Sequence, residues 1–164
     1  MEILKKKVNL FIDEHFDHLW KLASYIHANP EIAFEEKKAA HALSSYLQEQ
    51  GFAVKTGIAG LDTAFQAVFK KGNGPRIAVF AEYDALKGLG HACGHNLIAT
   101  SALGCAAAVK QVLESSELEG SIEDKLNQIV QKIYGGKKAV LTANAQKQAK
   151  QLEDMGYANC PICV

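Results

Sequence analysis

Charge of one sign is missing from this chain: 18 Lys and Arg balance 18 Asp and Glu, for a formal net charge of zero over 164 residues. That removes any electrostatic argument for nucleic acid or an anionic membrane as partner. No apolar run approaches the roughly 20 residues needed to span a bilayer, so no membrane partner is expected. The amino terminus, Met1-Glu2-Ile3-Leu4-Lys5-Lys6-Lys7, has basic residues but no apolar core with a small-residue cleavage site behind it, which argues against a secretory signal. Cysteine is sparse. Cys93, Cys105, Cys160 and Cys163 do not form the framework of a disulfide-stapled secreted domain. A cytoplasmic location with free or metal-bound thiols is the expectation. Cys105, inside Leu103-Gly104-Cys105-Ala106-Ala107-Ala108, reads as a small buried hydrophobe. Cys160 and Cys163 spell Cys-x-x-Cys with no second Cys/His pair nearby, and read as the entry to a strand. Repeats and low-complexity stretches are absent. Histidine is absent after His95, so chemistry that needs imidazole must be carried by the first 95 residues.

What is present is enough for a core. A 48% hydrophobic content over this length would ordinarily bury one domain. Leu4, Val8, Phe11, Ile12, Phe16, Leu19, Trp20, Leu22 and Ile26 recur at helical spacing and predict a helix that ends near Asn29-Pro30. A second helix is predicted from Phe34 to Gln50, with Gly51 as its stop. Phe52–Lys55 and Thr63–Lys70 read as strands. Lys71-Gly72-Asn73-Gly74-Pro75 is a turn by composition. Arg76-Ile77-Ala78-Val79-Phe80-Ala81 is a continuous apolar run, as expected of a central strand buried on both faces. An alanine-rich helix follows from Leu97 to Leu113. From Ser121 the text changes, and Ile122, Leu126, Ile129, Val130 and Ile133 predict another helix. Ala143–Met155 predicts one more, and Cys160–Val164 begins a strand.

The densest chemistry lies just past the predicted central strand. Ala81-Glu82-Tyr83-Asp84-Ala85-Leu86 is followed, three residues later, by Gly90-His91-Ala92-Cys93-Gly94-His95-Asn96. Thiolate, imidazole and carboxylate are the ligands a zinc-like ion prefers, and α/β sheets place ligands at the carboxyl ends of their strands. Read alone, Cys-Gly-His is more readily a loop thiol beside a solvated imidazole.

The wording of these two segments resembles the metal-site segment of the aminoacylase/carboxypeptidase-type metallopeptidases, in particular the amidohydrolase branch that includes the β-alanyl-lysine dipeptidases. His27-Ala28-Asn29-Pro30-Glu31-Ile32-Ala33-Phe34-Glu35-Glu36 is similar to a His-x-x-Pro-Glu…Phe-Glu-Glu segment of the same family, and reads locally as a helix end, a turn and a new helix whose first-turn carboxylates suit the macrodipole. The resemblance covers residues 1–121. It implies an α/β fold, a partial zinc-peptidase-type catalytic domain with helices packed on a mixed sheet. It also implies a divalent metal (zinc or manganese) and hydrolysis of the amide of a small peptide or N-acyl amino acid. It makes Cys93 a ligand between two ions, a position that is aspartate in related peptidases, and His95 a ligand to one of them. Asp84 becomes the carboxylate that orients a ligand or the base. Glu82 stands where many relatives have a histidine ligand and is the weaker candidate; His91 shapes the loop. Relatives continue with a paired-glutamate segment that supplies the general base and a ligand, with later histidine ligands and with an inserted dimerisation domain. Here Ser121-Ile122-Glu123-Asp124-Lys125 stands in place of the glutamate pair. Two ligands of about five hold a metal only weakly, so this chain alone is expected to be inactive.

Residues 122–164 resemble a segment of formate–tetrahydrofolate ligase. The text that carries this is Ile129-Val130-Gln131-Lys132-Ile133-Tyr134-Gly135, then Leu152-Glu153-Asp154-Met155-Gly156-Tyr157 and Cys160-Pro161-Ile162-Cys163-Val164. The expected organisation is therefore residues 1–120 as the amino-terminal part of a catalytic domain and 121–164 as an unrelated short αα(β) tail. The alternatives to an amidohydrolase are a fragment of that one-carbon ligase and a non-catalytic fusion or truncation product.

Overall fold

The computed structural model describes residues 2–126, which lie within one compact unit, Met1–Ile129. The helices and strand expected beyond residue 126 lie outside the described residues. Apolar side chains at helical spacing build the first element, α1 (Glu2–Ala28), whose buried face is Phe11, Leu22, Ala23 and Ile26. Pro30 follows and ends it. The second, α2 (Lys37–Glu49), buries Ala39, Leu43, Ser44, Tyr46 and Leu47. Gly51, at φ 80°, lets the chain reverse into β1 (Ala53–Thr56). A single 3-10 turn, Ile58–Gly60, leads to β2 (Phe65–Lys71), then β3 (Arg76–Ala81), α3 (His95–Glu114) and β4 (Gly120–Leu126).

The four strands form one mixed sheet in the order β1-β2-β4-β3. β1 and β2 are an antiparallel pair (Ala53 opposite Val68). β4 enters antiparallel to β2 (Ile122 opposite Phe69) and parallel to β3 (Ile122 opposite Ile77). Two sequence expectations fail here. Residues 120–126 are a strand, where the sequence predicts a helix from Ser121; Ile122 and Leu126 are four apart, a spacing that satisfies period 2 as well as period 3.6. β3 is consequently the edge of the described sheet and β4 its inner strand. Ile77 and Phe80 are 54% and 51% exposed, so β3 is not buried on both faces. The apolar run was a correct sign of a strand and an incorrect one of its neighbours.

The core lies between the helices and one face of the sheet. Phe65, Ala67, Ala81 and Ile122 meet Leu43, Leu47, Ala99, Leu103 and Ala106 there. α3 owes its place to small residues. A methyl group added at Gly104 would sit 3.0 Å from Leu19 Cδ1 and 3.4 Å from Ile12 Cδ1 of α1, so the closeness of the two helices depends on that position having no side chain. Among the described residues α3 alone is long and apolar enough to cross a membrane. Ala99, Ala102, Leu103, Ala106, Ala107 and Ala108 are buried against the rest of the fold, as in a core helix. Cys105 is exposed on the opposite side of α3, against the expectation that it is buried; its neighbours are apolar, but it falls on the outward stripe of the helix.

Candidate functional site

The chain leaves β3 at Ala81 and spends thirteen residues, 82–94, in loops before α3 begins at His95. Leu86 N donates to Gly90 O at 2.8 Å and Gly90 N to Leu86 O at 3.0 Å, which closes Lys87-Gly88-Leu89 into a tight excursion. Gly94, at φ 79°, is the residue before α3. This left-handed position, which a side chain would strain, turns the chain so that His95 starts the helix with its ring against the end of β3.

His95 is buried, and both of its ring nitrogens face carboxylates. Nδ1 lies 2.9 Å from Asp84 Oδ1 and 3.0 Å from the Asp84 carbonyl oxygen. Nε2 lies 3.1 Å from Glu82 Oε2. A carboxylate on Nδ1 makes that nitrogen the donor and fixes the ring. This is the arrangement in which an imidazole presents Nε2 to a metal. Cys93, two residues before His95, is a partly exposed thiol. The structure thus brings Glu82, Asp84 and His95 together, with Cys93 on the adjoining turn. Among the described residues, no three His, Cys, Asp or Glu side chains converge as a metal cage. The donor chemistry fits a divalent ion, as half of a site and not a whole one.

His91 is buried, and neither ring nitrogen has a hydrogen-bond partner among the described residues. Its ring is 6.3 Å from that of His27. Burial, and then the nearby His27 and His95 rings, push it toward the neutral form. Of the helix histidines outside this loop, His18 and His41 are exposed, whereas His15 is half-buried, stacked on Phe11 at 3.9 Å between ring centres.

The segment around Pro30 is the floor of the site. Ala85 N donates to Glu31 O at 2.7 Å, and Ile32 bridges to Ala85 in parallel fashion. Glu31 Oε2 accepts from Lys38 N at 2.8 Å and Ala39 N at 3.0 Å, satisfying two of the free N–H groups at the start of α2. Sequence reasoning placed Glu35 and Glu36 in that first turn. The helix begins instead at Lys37, and the carboxylate on its N–H groups comes from Glu31. Glu36 is buried at 1% exposure and accepts from Thr63 Oγ1 at 2.7 Å. Its burial was not legible from the sequence, because a Glu-Glu pair before a helix signals charge near the dipole and nothing about depth.

The Asp84–His95 contact has a pH signature in the metal-free chain. The hydrogen bond to His95 holds Asp84 below the usual carboxylate range, with burial opposing. The bond to Asp84 holds His95 above the usual imidazole range, again against burial. A lowered carboxylate stabilises the fold above its unfolded pKa and loses that as pH falls through the folded value. A raised imidazole stabilises it below its unfolded pKa and loses that as pH rises through the folded value. The contact therefore contributes most between about pH 4 and pH 6.5. Asp84→Asn is expected to destabilise the metal-free chain by about 1–2 kcal/mol in that window, a partly exposed charged hydrogen bond. The loss should shrink at higher pH, once the raised imidazole of the folded state has given up its proton. Denaturant titrations inside and above that window check this; equal losses at both would contradict it.

Comparison with known proteins finds two resemblances. The chain is 38% identical over 124 residues to the Xaa-Arg dipeptidase of Mus musculus, covering 70% of this chain and 29% of that protein. Residues 1–121 resemble the metallo-amidohydrolase and dipeptidase family. A solved Bacillus subtilis structure, described as a dinuclear metal-binding peptidase of the M20 family, superposes with a TM-score of 0.61 at 26% identity, covering 70% of this chain and 35% of that one. The family model described as formate–tetrahydrofolate ligase matches residues 87–164. The ligase of Staphylococcus aureus (strain JH9) is 46% identical over 48 residues, 29% of this chain and 9% of that protein. The chain thus spans about three-tenths of the dipeptidase relative, and the fold it shares is that of M20 peptidase domains.

Proposed function

We propose that residues 1–120 carry one half of the catalytic site of a metal-dependent amidohydrolase or dipeptidase, acting on the amide of a small peptide or an N-acyl amino acid. The observation that supports this most is the clamped imidazole: Asp84 holds Nδ1 of His95 at 2.9 Å and leaves Nε2 facing Glu82 at 3.1 Å, with the Cys93 thiol on the same turn. In this reading Cys93 and His95 are the ligands of a zinc or manganese ion, Asp84 orients His95, and Glu82 takes an auxiliary place. A bound ion of this kind lowers the pKa of a water and polarises an amide carbonyl. In this reading the chain's own residues fix the imidazole tautomer, turn Nε2 toward Glu82, and carry Cys93 two residues before His95 across the left-handed Gly94. His91, kept neutral by burial, shapes the wall of the loop. The ligase-like sequence beyond β4 has no role in this proposal.

The test is protection of a thiol. With one equivalent of zinc, alkylation of Cys93 by iodoacetamide should slow markedly, while exposed Cys105 reacts at an unchanged rate, both read by peptide mass spectrometry. Cys93 reacting equally with and without zinc would remove it as a ligand.

A further inference from the structure

Glu36 belongs to none of the roles above, yet it is among the most deeply buried side chains of the molecule, at 1% exposure. A carboxyl group at that depth needs partners to offset its desolvation. Its Oε2 accepts from Thr63 Oγ1 at 2.7 Å, at the mouth of β2. Thr63 is itself 3% exposed, and its carbonyl oxygen accepts the hydroxyl of Tyr83. Tyr83 stands between Glu82 and Asp84, the two carboxylates that face His95. Its ring is stacked on Phe65 with centres 6.3 Å apart, so the hydroxyl bond fixes the remaining freedom of a side chain already held by packing. Two residues before Glu36, Phe34 has φ 71°, a left-handed conformation unfavourable for an aromatic residue. That turn lies between Glu36 and Glu31, whose carbonyl is bonded to Ala85 on the other side of Asp84.

We infer that Glu36 is a positioning residue: through Thr63 and Tyr83 it sets the height of the Glu82–Asp84 loop and thereby the Asp84–His95 contact. The chain of contacts runs Glu36–Thr63–Tyr83, then one peptide unit to Asp84, then His95. A second tie, Glu31 to Ala85, holds the other end of the loop. Burial raises the Glu36 carboxyl above its ordinary range, against the opposing Thr63 bond, which suits a group whose role is a hydrogen-bonding shape. Gln can supply that shape; Ala cannot. The inference builds on the proposed site but does not require that a metal bind there.

The experiment uses the full chain without metal and observes the imidazole protons of ¹⁵N-labelled histidine by NMR. In the parent protein His95 should give a protected, strongly downfield Nδ1–H signal from its bond to the Asp84 carboxylate, moved upfield in Asp84→Asn. Glu36→Ala is expected to lose that signal while the resonances of exposed His18 and His41 stay in place. Glu36→Gln, which keeps an acceptor for Thr63, should retain it, whereas Glu36→Met, which fills a similar volume without that acceptor, should lose it. Thr63→Val and Tyr83→Phe each remove one hydroxyl with little change of volume, and both should shift or broaden the same signal even if Glu36→Ala fails to fold. An unchanged His95 signal in Thr63→Val and Tyr83→Phe would overturn the inference. If zinc fails to protect Cys93 while these shifts appear, the site reading falls and the positioning role stands.

Discussion

Loaded with zinc or manganese, the full chain should cleave N-acyl amino acids and β-alanyl dipeptides no faster than buffer containing the same metal. Metal-assisted amide hydrolysis needs an activated water, a base to receive its proton, and a group to stabilise the oxyanion. Cys93, His95 and Asp84 contribute at most to the first. General-base assistance alone is worth about 10²–10⁴-fold, and relatives take that base from a glutamate pair that this sequence replaces with Ser121 to Lys125. The structure strengthens the argument. Backbone 121–126 is built into the sheet, paired with β2 on one side and β3 on the other, and so belongs to the scaffold beneath the site. Rates measured over hours by amine release check the expectation. Metal-dependent turnover abolished by Cys93→Ala would contradict it and would mean that other residues complete the site.

Much of the architecture was legible because it rests on local rules. Helical periodicity located α1 to within two residues at each end, the Lys71–Pro75 turn separated β2 from β3, and β3 itself occupies the residues of the apolar run, Arg76–Ala81. What failed depends on neighbours that are distant in sequence. Nothing local distinguishes an inner strand from an edge strand, so β3 was placed centrally. Ile122 and Leu126 fit two periods at once, and pairing with both β2 and β3 decides between them. Cys105 was judged by its neighbours' composition, but exposure follows the angle around the helix.

The site was legible as wording and only partly as geometry. The segments around Glu82 and Cys93 announced themselves by their residue types. Sequence also linked the segment around Pro30 to the same family without giving it a role. The structure gives it one: Glu31 holds Ala85, and Glu36 reaches Tyr83 through Thr63. A carboxylate that caps a helix from six residues before its first residue, or that lies buried beside a threonine, leaves no trace in spacing. Such contacts exist only once the turn at Phe34 is made.

Calorimetric titration of the full chain with zinc tests most directly whether Cys93 and His95 share one ion. Because two protein ligands supply only part of a tetrahedral site, binding should be weak, and because His95 must give up its proton it should tighten as pH rises. Removing a residue that merely supports a ligand costs about 10–100-fold in affinity, so deleting a ligand should cost at least as much. Cys93→Ala and His95→Ala are each expected to abolish measurable binding, while Cys163→Ala, in the other thiol pair, leaves the parent affinity. Equal losses in Cys93→Ala and Cys163→Ala, or full affinity in Cys93→Ala, would contradict the assignment.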